Sequence, residues 1–394
     1  MKEKNDFPML NKNIVYLDNA ATSLKPKCVI DKVKEYYEEY SANSHRGDYN
    51  ISFKVDDEID NTRSLVKEFI NANRKEEIIF TRNTTESINE IVFCFFEKYL
   101  NEGDEVILSS SEHASNILPW MILSLRKSIK IVFVDSVNEK LNLNDLNNKI
   151  TNNTKVISLA QITNVSGDKR DIKKVCEIAH KKNILVVCDA AQSAPHIKID
   201  VKDLDVDFLA FSSHKMLGPT GVGILYGKYE LLNKMIPFMY GGGMNENYNE
   251  NSLKLESIPY RFEAGTQDIA SIIGFSEAIK YLNHYGIDNI EKREKALRKH
   301  LISKLKTIPY IKIYNENNEG SIVIINIEGI LSGDLGLYLN SKNICVRSGK
   351  HCAKMGDNKD DTVRISLYFY NTYEEINYLI DVLKDRKSIE KFIN

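Results

Sequence analysis

Ile184-Leu185-Val186-Val187-Cys188-Asp189-Ala190-Ala191-Gln192 and, further along, Ser212-Ser213-His214-Lys215-Met216-Leu217-Gly218-Pro219-Thr220-Gly221 are the stretches on which the fold turns. The first is a short apolar run closed by an acid, the pattern of a strand buried on both faces. Similar runs recur at Glu77–Phe80, Glu105–Leu108, Lys130–Val134 and Lys155–Leu159. Between them lie amphipathic patterns of helical period, such as Thr84–Leu100 and Asp171–Lys182. This alternation predicts an α/β domain with a largely parallel sheet and helices on both faces. Ligands of such sheets gather at the carboxyl ends of the strands, and Asp189 and Asn164 fall just beyond two of them.

A second pattern begins after about Ala270. A long helical stretch, Ser271–Thr307, leads to strands at Ser321–Ile327, Ile344–Val346 and Thr362–Leu367. Helices near Gly333–Ser341 and from Thr372 complete a smaller α+β domain. The expected division is a large domain over 17–277 and a small one built from 1–16 and 278–394. Gly241-Gly242-Gly243 and the Asn-rich stretch Asn245–Asn251 read as a loop without periodicity.

At 394 residues the chain can bury a sizeable core. Lys and Arg number 53 against 55 Asp and Glu, and neither sign forms a long block, so composition gives no case for nucleic acid or membrane as a partner. The start, Met1–Phe7, lacks the apolar core of a signal peptide, and no run of about 18 apolar residues exists to span a bilayer. A cytoplasmic location is expected. The six cysteines (Cys28, Cys94, Cys176, Cys188, Cys345, Cys352) show no metal-binding or disulfide spacing, so no metal is expected. Cys94, Cys176 and Cys188 lie within apolar patterns and read as packing residues.

Lys215 follows apolar and small residues and precedes a glycine-rich turn. An amine held in a dry, confined site can lose its proton and form a Schiff base with an aldehyde. With Asp189 able to face a pyridine nitrogen, the pair suits pyridoxal 5'-phosphate. Gln192 could donate to the ring oxygen. Thr84-Thr85-Glu86 opens an apolar helix, where backbone N–H groups cap or hold a phosphate, and Ser212 and His214 add donors. His113 follows a strand and could stack on the ring and relay protons. Cys352 differs from the other cysteines, because Lys350 and His351 precede it and favour thiolate.

Jointly, several motifs make the chain resemble the class V aminotransferases of fold-type I. They are Tyr16-Leu17-Asp18-Asn19-Ala20-Ala21-Thr22, Asp189-Ala190-Ala191-Gln192 and the Ser-x-His-Lys-x-x-Gly-Pro-x-Gly run. Within that group it resembles cysteine desulfurases of the SufS/CsdA type (group II). The signposts are His45-Arg46-Gly47, Thr84-Thr85-Glu86, Glu112-His113 with Asn116 and Pro119-Trp120, Arg261–Thr266 and Arg347–Ala353.

The resemblance implies that Lys215 carries the cofactor, with Asp189, Gln192 and His113 around its ring and Thr84, Thr85, Ser212 and His214 at its phosphate. Thr266 matches a residue that reaches the phosphate from the other subunit, implying a homodimer with shared sites. Arg364, Asn164, His45 and Arg347 would bind L-cysteine, and Cys352 would take its sulfur as a persulfide. The sulfur would pass to an acceptor of SufU or SufE type, feeding iron–sulfur cluster assembly. Three departures stand out: Lys350 replaces the first of two usual histidines, Met355 falls where a proline is common, and the link Ala353–Val363 is short. A selenocysteine lyase shares nearly all these motifs, whereas other class V lyases would not need Cys352.

Overall fold

The computed structural model describes residues 2–44, 47–137, 140–351 and 361–393. At its centre is a seven-stranded sheet formed by β1 (Ile78–Thr81), β2 (Glu105–Ser109), β3 (Lys130–Val134), β4 (Thr154–Ala160), β5 (Leu185–Asp189), β6 (Phe208–Ser212) and β7 (Gly223–Gly227). Their spatial order is β1-β7-β6-β5-β4-β2-β3. β3, β2, β4, β5 and β6 pair in parallel, and β7 runs antiparallel to both β6 and β1. The sheet is therefore mixed, with β1 pointing the same way as the parallel set.

Both faces are covered. Ile78, Phe80, Val186 and Cys188 pack into one apolar cluster, and their alternates Ile79 and Val187 pack into another. Burial on both faces is why these strands are apolar runs rather than alternating ones. Cys94, Cys176 and Cys188 are buried, as their apolar surroundings predict, and burial pushes the Cys94 thiol up to about 12.

The sequence runs singled out five of the seven strands. β6 and β7 were not among them, and they flank the Lys215 turn. Antiparallel neighbours need no crossover helix, whereas parallel ones do, so β6 and β7 are joined by a single loop over 213–222. Gly223 opens β7 because a Cβ there would lie 2.5 Å from the Asn83 carbonyl carbon and from Thr81 Oγ1.

The second sheet joins β8 (Ile311–Ile313), β9 (Ile322–Ile327), β10 (Arg347–Gly349) and β11 (Thr362–Ser366) in the order β8-β9-β11-β10, all antiparallel. Val323, Ile325, Val363 and Ile365 bury one face against helices Ile287–Leu305 and Tyr373–Lys384. Thr372 caps the latter, accepting from Glu375 N while the Glu375 side chain accepts from Thr372 N. Such reciprocal caps satisfy two otherwise orphan donors.

Two expectations need correction. The single helical stretch Ser271–Thr307 is two helices, Ile269–Tyr285 and Ile287–Leu305, broken at Gly286, whose φ of 88° is left-handed. The stretch Asn245–Asn251 is not a featureless loop: Asn245–Asn249 pairs with Ser252–Leu255 as an exposed hairpin. With both faces in water it lacks the apolar alternation that marks a strand. Among the described residues, no helix is long and apolar enough to cross a membrane.

Candidate active site

Five strands running in one direction deliver their carboxyl ends to one cavity of about 350 Å³. Thr84 and Thr85 follow β1, His113 follows β2, and Asn164 follows β4. Asp189 is the last residue of β5 and Ser212 the last of β6, with His214 and Lys215 in the turn beyond. Gln192 lies one turn past Asp189. The second sheet closes the cavity with Arg347 on β10, Arg364 on β11, and His351 just after β10. Residues far apart in the chain thus meet where an α/β sheet offers its ligand crevice. Thr266 lines a different cavity with Gly242 and Gln267. His45 and Cys352 lie outside the described residues.

One end of the cavity is lined with hydroxyls. Thr84 N donates to Ser212 Oγ at 2.7 Å, and the Thr84 and Ser212 hydroxyls are 2.6 Å apart. The helix there is capped by Asn83, not Thr84: Asn83 Oδ1 accepts from Glu86 N at 2.9 Å. The Thr84 side chain is thereby left out of the cap. Thr85 Oγ1 meets Ser115 Oγ at 2.7 Å, and Ser115 N donates to His113 Nδ1 at 3.1 Å. Since Nδ1 accepts, the neutral ring carries its proton on Nε2.

At the other end Asp189 is buried, and burial pushes its carboxyl up, opposed by the Ala191 N–H at 2.9 Å and by the charges of Lys215 and Arg170. Beneath it lies a buried pair that the sequence did not disclose. Glu112 and Arg170 form an ion pair with both side chains at 0% exposure. Arg170 Nη2 also donates to Ser111 Oγ at 2.7 Å, while Glu112 Oε2 accepts from Ala160 N and Asn116 Nδ2 at 2.8 Å each. Glu112 immediately precedes His113, so this network fixes the loop that carries the imidazole.

On the far wall, Arg364 is buried, with Nη1 donating to Asn164 O at 2.8 Å and Nη2 to Asp18 Oδ1 at 3.1 Å. Asn164 Nδ2 donates to His351 O at 2.6 Å, and Asn164 Oδ1 is buried with no hydrogen-bond partner among the described residues. Asp18 stood in the sequence only as part of a motif. Its contact with two arginines had no local signal.

Three histidines share one electrostatic signature. Burial lowers His113 and His214 to about 4 and His351 to about 3. Nearby cations add to it: Lys215 and Arg364 for His113, Lys215 and Lys25 for His214, Arg364 and Arg347 for His351. In the unfolded chain these groups return to about 6.5. Between the two values the unfolded chain binds more protons, so stability falls as pH drops from about 6.5 towards 4. Buried carboxyls such as Glu90, pushed up to about 8, act in the opposite sense over the same range, so the test is a difference: acidification from pH of about 7 to about 5 should raise the urea midpoint of the cofactor-free His351→Gln chain relative to the wild type. A midpoint difference that stays constant across that range would contradict it.

The sequence matches the family described as aminotransferase class-V over residues 15–379. The chain belongs to that family, in its cysteine desulfurase branch. It is 39% identical over 393 residues to a probable cysteine desulfurase of Staphylococcus aureus (strain N315), covering 97% of this chain and 95% of the relative. A probable cysteine desulfurase of Borreliella burgdorferi is 42% identical over 400 residues, covering 97% and 94%. Among solved structures, the apo cysteine desulfurase of Thermococcus onnurineus NA1 superposes with a TM-score of 0.94 at 35% identity, covering 98% of this chain and 97% of that one. The cysteine desulfurase CsdA of Escherichia coli, as its S-sulfonic acid, gives 0.93 at 32% identity, covering 98% of each.

The fold is the expected fold-type I architecture, and the cofactor of this class-V chain is pyridoxal phosphate. Its site fits that group by the chemistry of its walls. Burial pushes the Asp189 carboxyl up, and a protonated ring nitrogen beside it would favour its charged form. Hydroxyls and backbone N–H groups at the opposite end suit a phosphate.

Proposed function

We propose that this chain converts L-cysteine to L-alanine, taking the sulfur onto Cys352 as a persulfide before passing it to an acceptor protein of SufU or SufE type. The observation that carries this reading is the meeting of Asp189, Lys215 and Arg364 in one cavity, which His351, directly before Cys352 in sequence, also lines. Pyridoxal phosphate, when bound, supplies an electron sink that loosens the α-hydrogen and then the Cβ–S bond of a bound amino acid. Asp189 would hold a proton at the ring nitrogen, Gln192 would donate to the ring oxygen and His113 would face the ring. Thr84, Thr85, Ser212 and His214 hold the phosphate. In a homodimer, Thr266 would reach the phosphate of the other subunit.

Arg364 and Asn164 receive the substrate carboxylate, the guanidinium offering the directed donors such a group needs. Arg347 and His45 complete the substrate side. Lys215 takes the α-proton. The Cys352 thiolate attacks the substrate sulfur, an S–S bond forms as the Cβ–S bond breaks, and the bonding pair stays with carbon, which is protonated on the way to alanine. His113 moves protons in these steps, a role supported by a neutral ring whose Nδ1 accepts from Ser115 N.

The reading keeps a large unit over 17–277 and a small one from 1–16 and 278–394, a cytoplasmic location and a role in iron–sulfur cluster assembly. It is tested by incubating the purified holoenzyme with L-cysteine and measuring alanine and sulfide, with and without each candidate acceptor. Equimolar alanine and sulfur, with turnover raised by one acceptor, is expected. Absence of alanine would sink the reading, and a strong preference for selenocysteine would redirect it to that substrate.

A further inference from the structure

The stretch Tyr16–Thr22 marks the family, yet nothing in the reaction above gives it a task. In the structure it continues to Lys25 as a strap that touches both ends of the site. At one end Asp18 is rigidly mounted: Ser366 N donates to Leu17 O at 2.8 Å, and Ala20 N to Ser366 Oγ at 2.9 Å. Asp18 Oδ1 accepts from Arg364 Nη2 at 3.1 Å, and its Oδ2 accepts from Arg347 Nη2 at 3.2 Å. Arg347 and Arg364 sit directly opposite each other across β10 and β11. Like charges so placed repel, and Asp18 is the carboxylate they share.

At the other end the strap converges on a single atom. The carbonyl oxygen of His214, in the peptide that leads into Lys215, accepts from Ser23 N at 3.1 Å, Thr22 Oγ1 at 3.0 Å and Lys25 Nζ at 2.8 Å. Leu217 N donates to Ser23 Oγ at 2.8 Å. Leu217 has a φ of 63°, left-handed without being glycine, so that turn is held from outside. Lys25 Nζ also donates to Ser23 O and Thr22 Oγ1. Among the described residues all its acceptors are neutral, and burial pulls the ammonium down to about 7. Burying a cation without an acid beside it costs stability, which calls for a reason. Between the two ends, Ala20 O accepts from Gln192 Nε2 at 2.8 Å.

We propose that Asp18 and Lys25 are positioning residues at opposite ends of one strap: Asp18 sets Arg364, which receives the substrate carboxylate, against Arg347 beside it, and Lys25 sets the peptide that carries Lys215. The inference rests on the roles given above to Arg364 and Lys215. It makes the two ends separable. Asp18→Asn loosens the guanidinium pair, so KM for L-cysteine should rise about tenfold with kcat within about twofold. Lys25→Met keeps side-chain length and removes the donors, so kcat should fall about tenfold with KM nearly unchanged.

The test combines steady-state kinetics of the holoenzymes with amide hydrogen exchange of the cofactor-free chains. Lys25→Met should speed exchange in peptides covering 213–218, and Asp18→Asn should leave them as in the wild type. Thr22→Val, which removes another donor to the same carbonyl and keeps Lys25, should lower kcat in the same sense if Lys25→Met does not fold. Equal losses in kcat and KM for both variants, or unchanged exchange over 213–218 in Lys25→Met, overturn the proposal. A normal cofactor spectrum in Lys215→Ala, or a normal KM in Arg364→Lys, would instead overturn the roles beneath it.

Discussion

Lys215→Ala should cost alanine formation from L-cysteine about a thousandfold or more, since it removes both the cofactor's covalent anchor and the group that takes the α-proton. The surroundings of the lysine make this the largest single effect expected. It stands in the β6–β7 loop, beside the hydroxyl-lined end of the cavity and within the electrostatic reach of His113 and buried Asp189. No other lysine lines the cavity among the described residues, so none is placed to substitute. The variant should also lose the long-wavelength absorbance of cofactor joined to an amine while keeping the fold. An unchanged cofactor spectrum would refute the assignment.

Cys352→Ala should give the opposite dissociation. The absorbance of the Lys215-bound cofactor is expected to remain, while release of alanine and sulfur from L-cysteine falls about a hundredfold or more. The reasoning is chemical. Weakening the Cβ–S bond does not move the sulfur, and a thiolate must attack it for the bonding pair to stay with carbon. The basic neighbours Lys350 and His351 favour that thiolate. Retention of the wild-type rate would remove Cys352 from the reaction and favour a lyase that releases sulfur without an enzyme-bound carrier. The two variants together separate the chemistry that loosens the bond from the chemistry that receives the atom.

How much of this was readable beforehand depended on where each signal lay. Asp189 and Asn164 were placed correctly because a buried strand ends abruptly and its direction fixes where its last side chain emerges. The small sheet was readable from runs such as Ser321–Ile327, which match β9 almost residue for residue. β6 and β7 are hard to read as strands because their short apolar runs adjoin the polar, glycine-rich stretch around Lys215. The hairpin at Asn245 escaped because both of its faces are in water. Arg170 could not have been found at all. It pairs with Glu112 across 58 positions, and a single sequence carries no trace of such a contact. Motifs marked groups that line the cavity, and they contained Asp18 and Glu112 without disclosing which side chains those two hold.

The Arg170–Glu112 pair has a consequence for how such a chain can change over generations. Removing Arg170 strands the Glu112 carboxylate in the interior at a cost of about 3–5 kcal/mol, a large part of a domain's total stability, and removing Glu112 leaves the buried Arg170 with the longer 3.4 Å contact to Asp168. Replacing both with apolar groups can be nearly neutral for the fold. That double change would nevertheless take a positive charge from beside Asp189 and unfasten the loop ahead of His113. Positions 112 and 170 are thus bound twice over: neither can drift alone for the sake of the fold, nor both together for the sake of the chemistry. Variation in descendants of this chain should therefore collect on the exposed hairpin and outer helices, leaving this interior pair as a fixed point of inheritance.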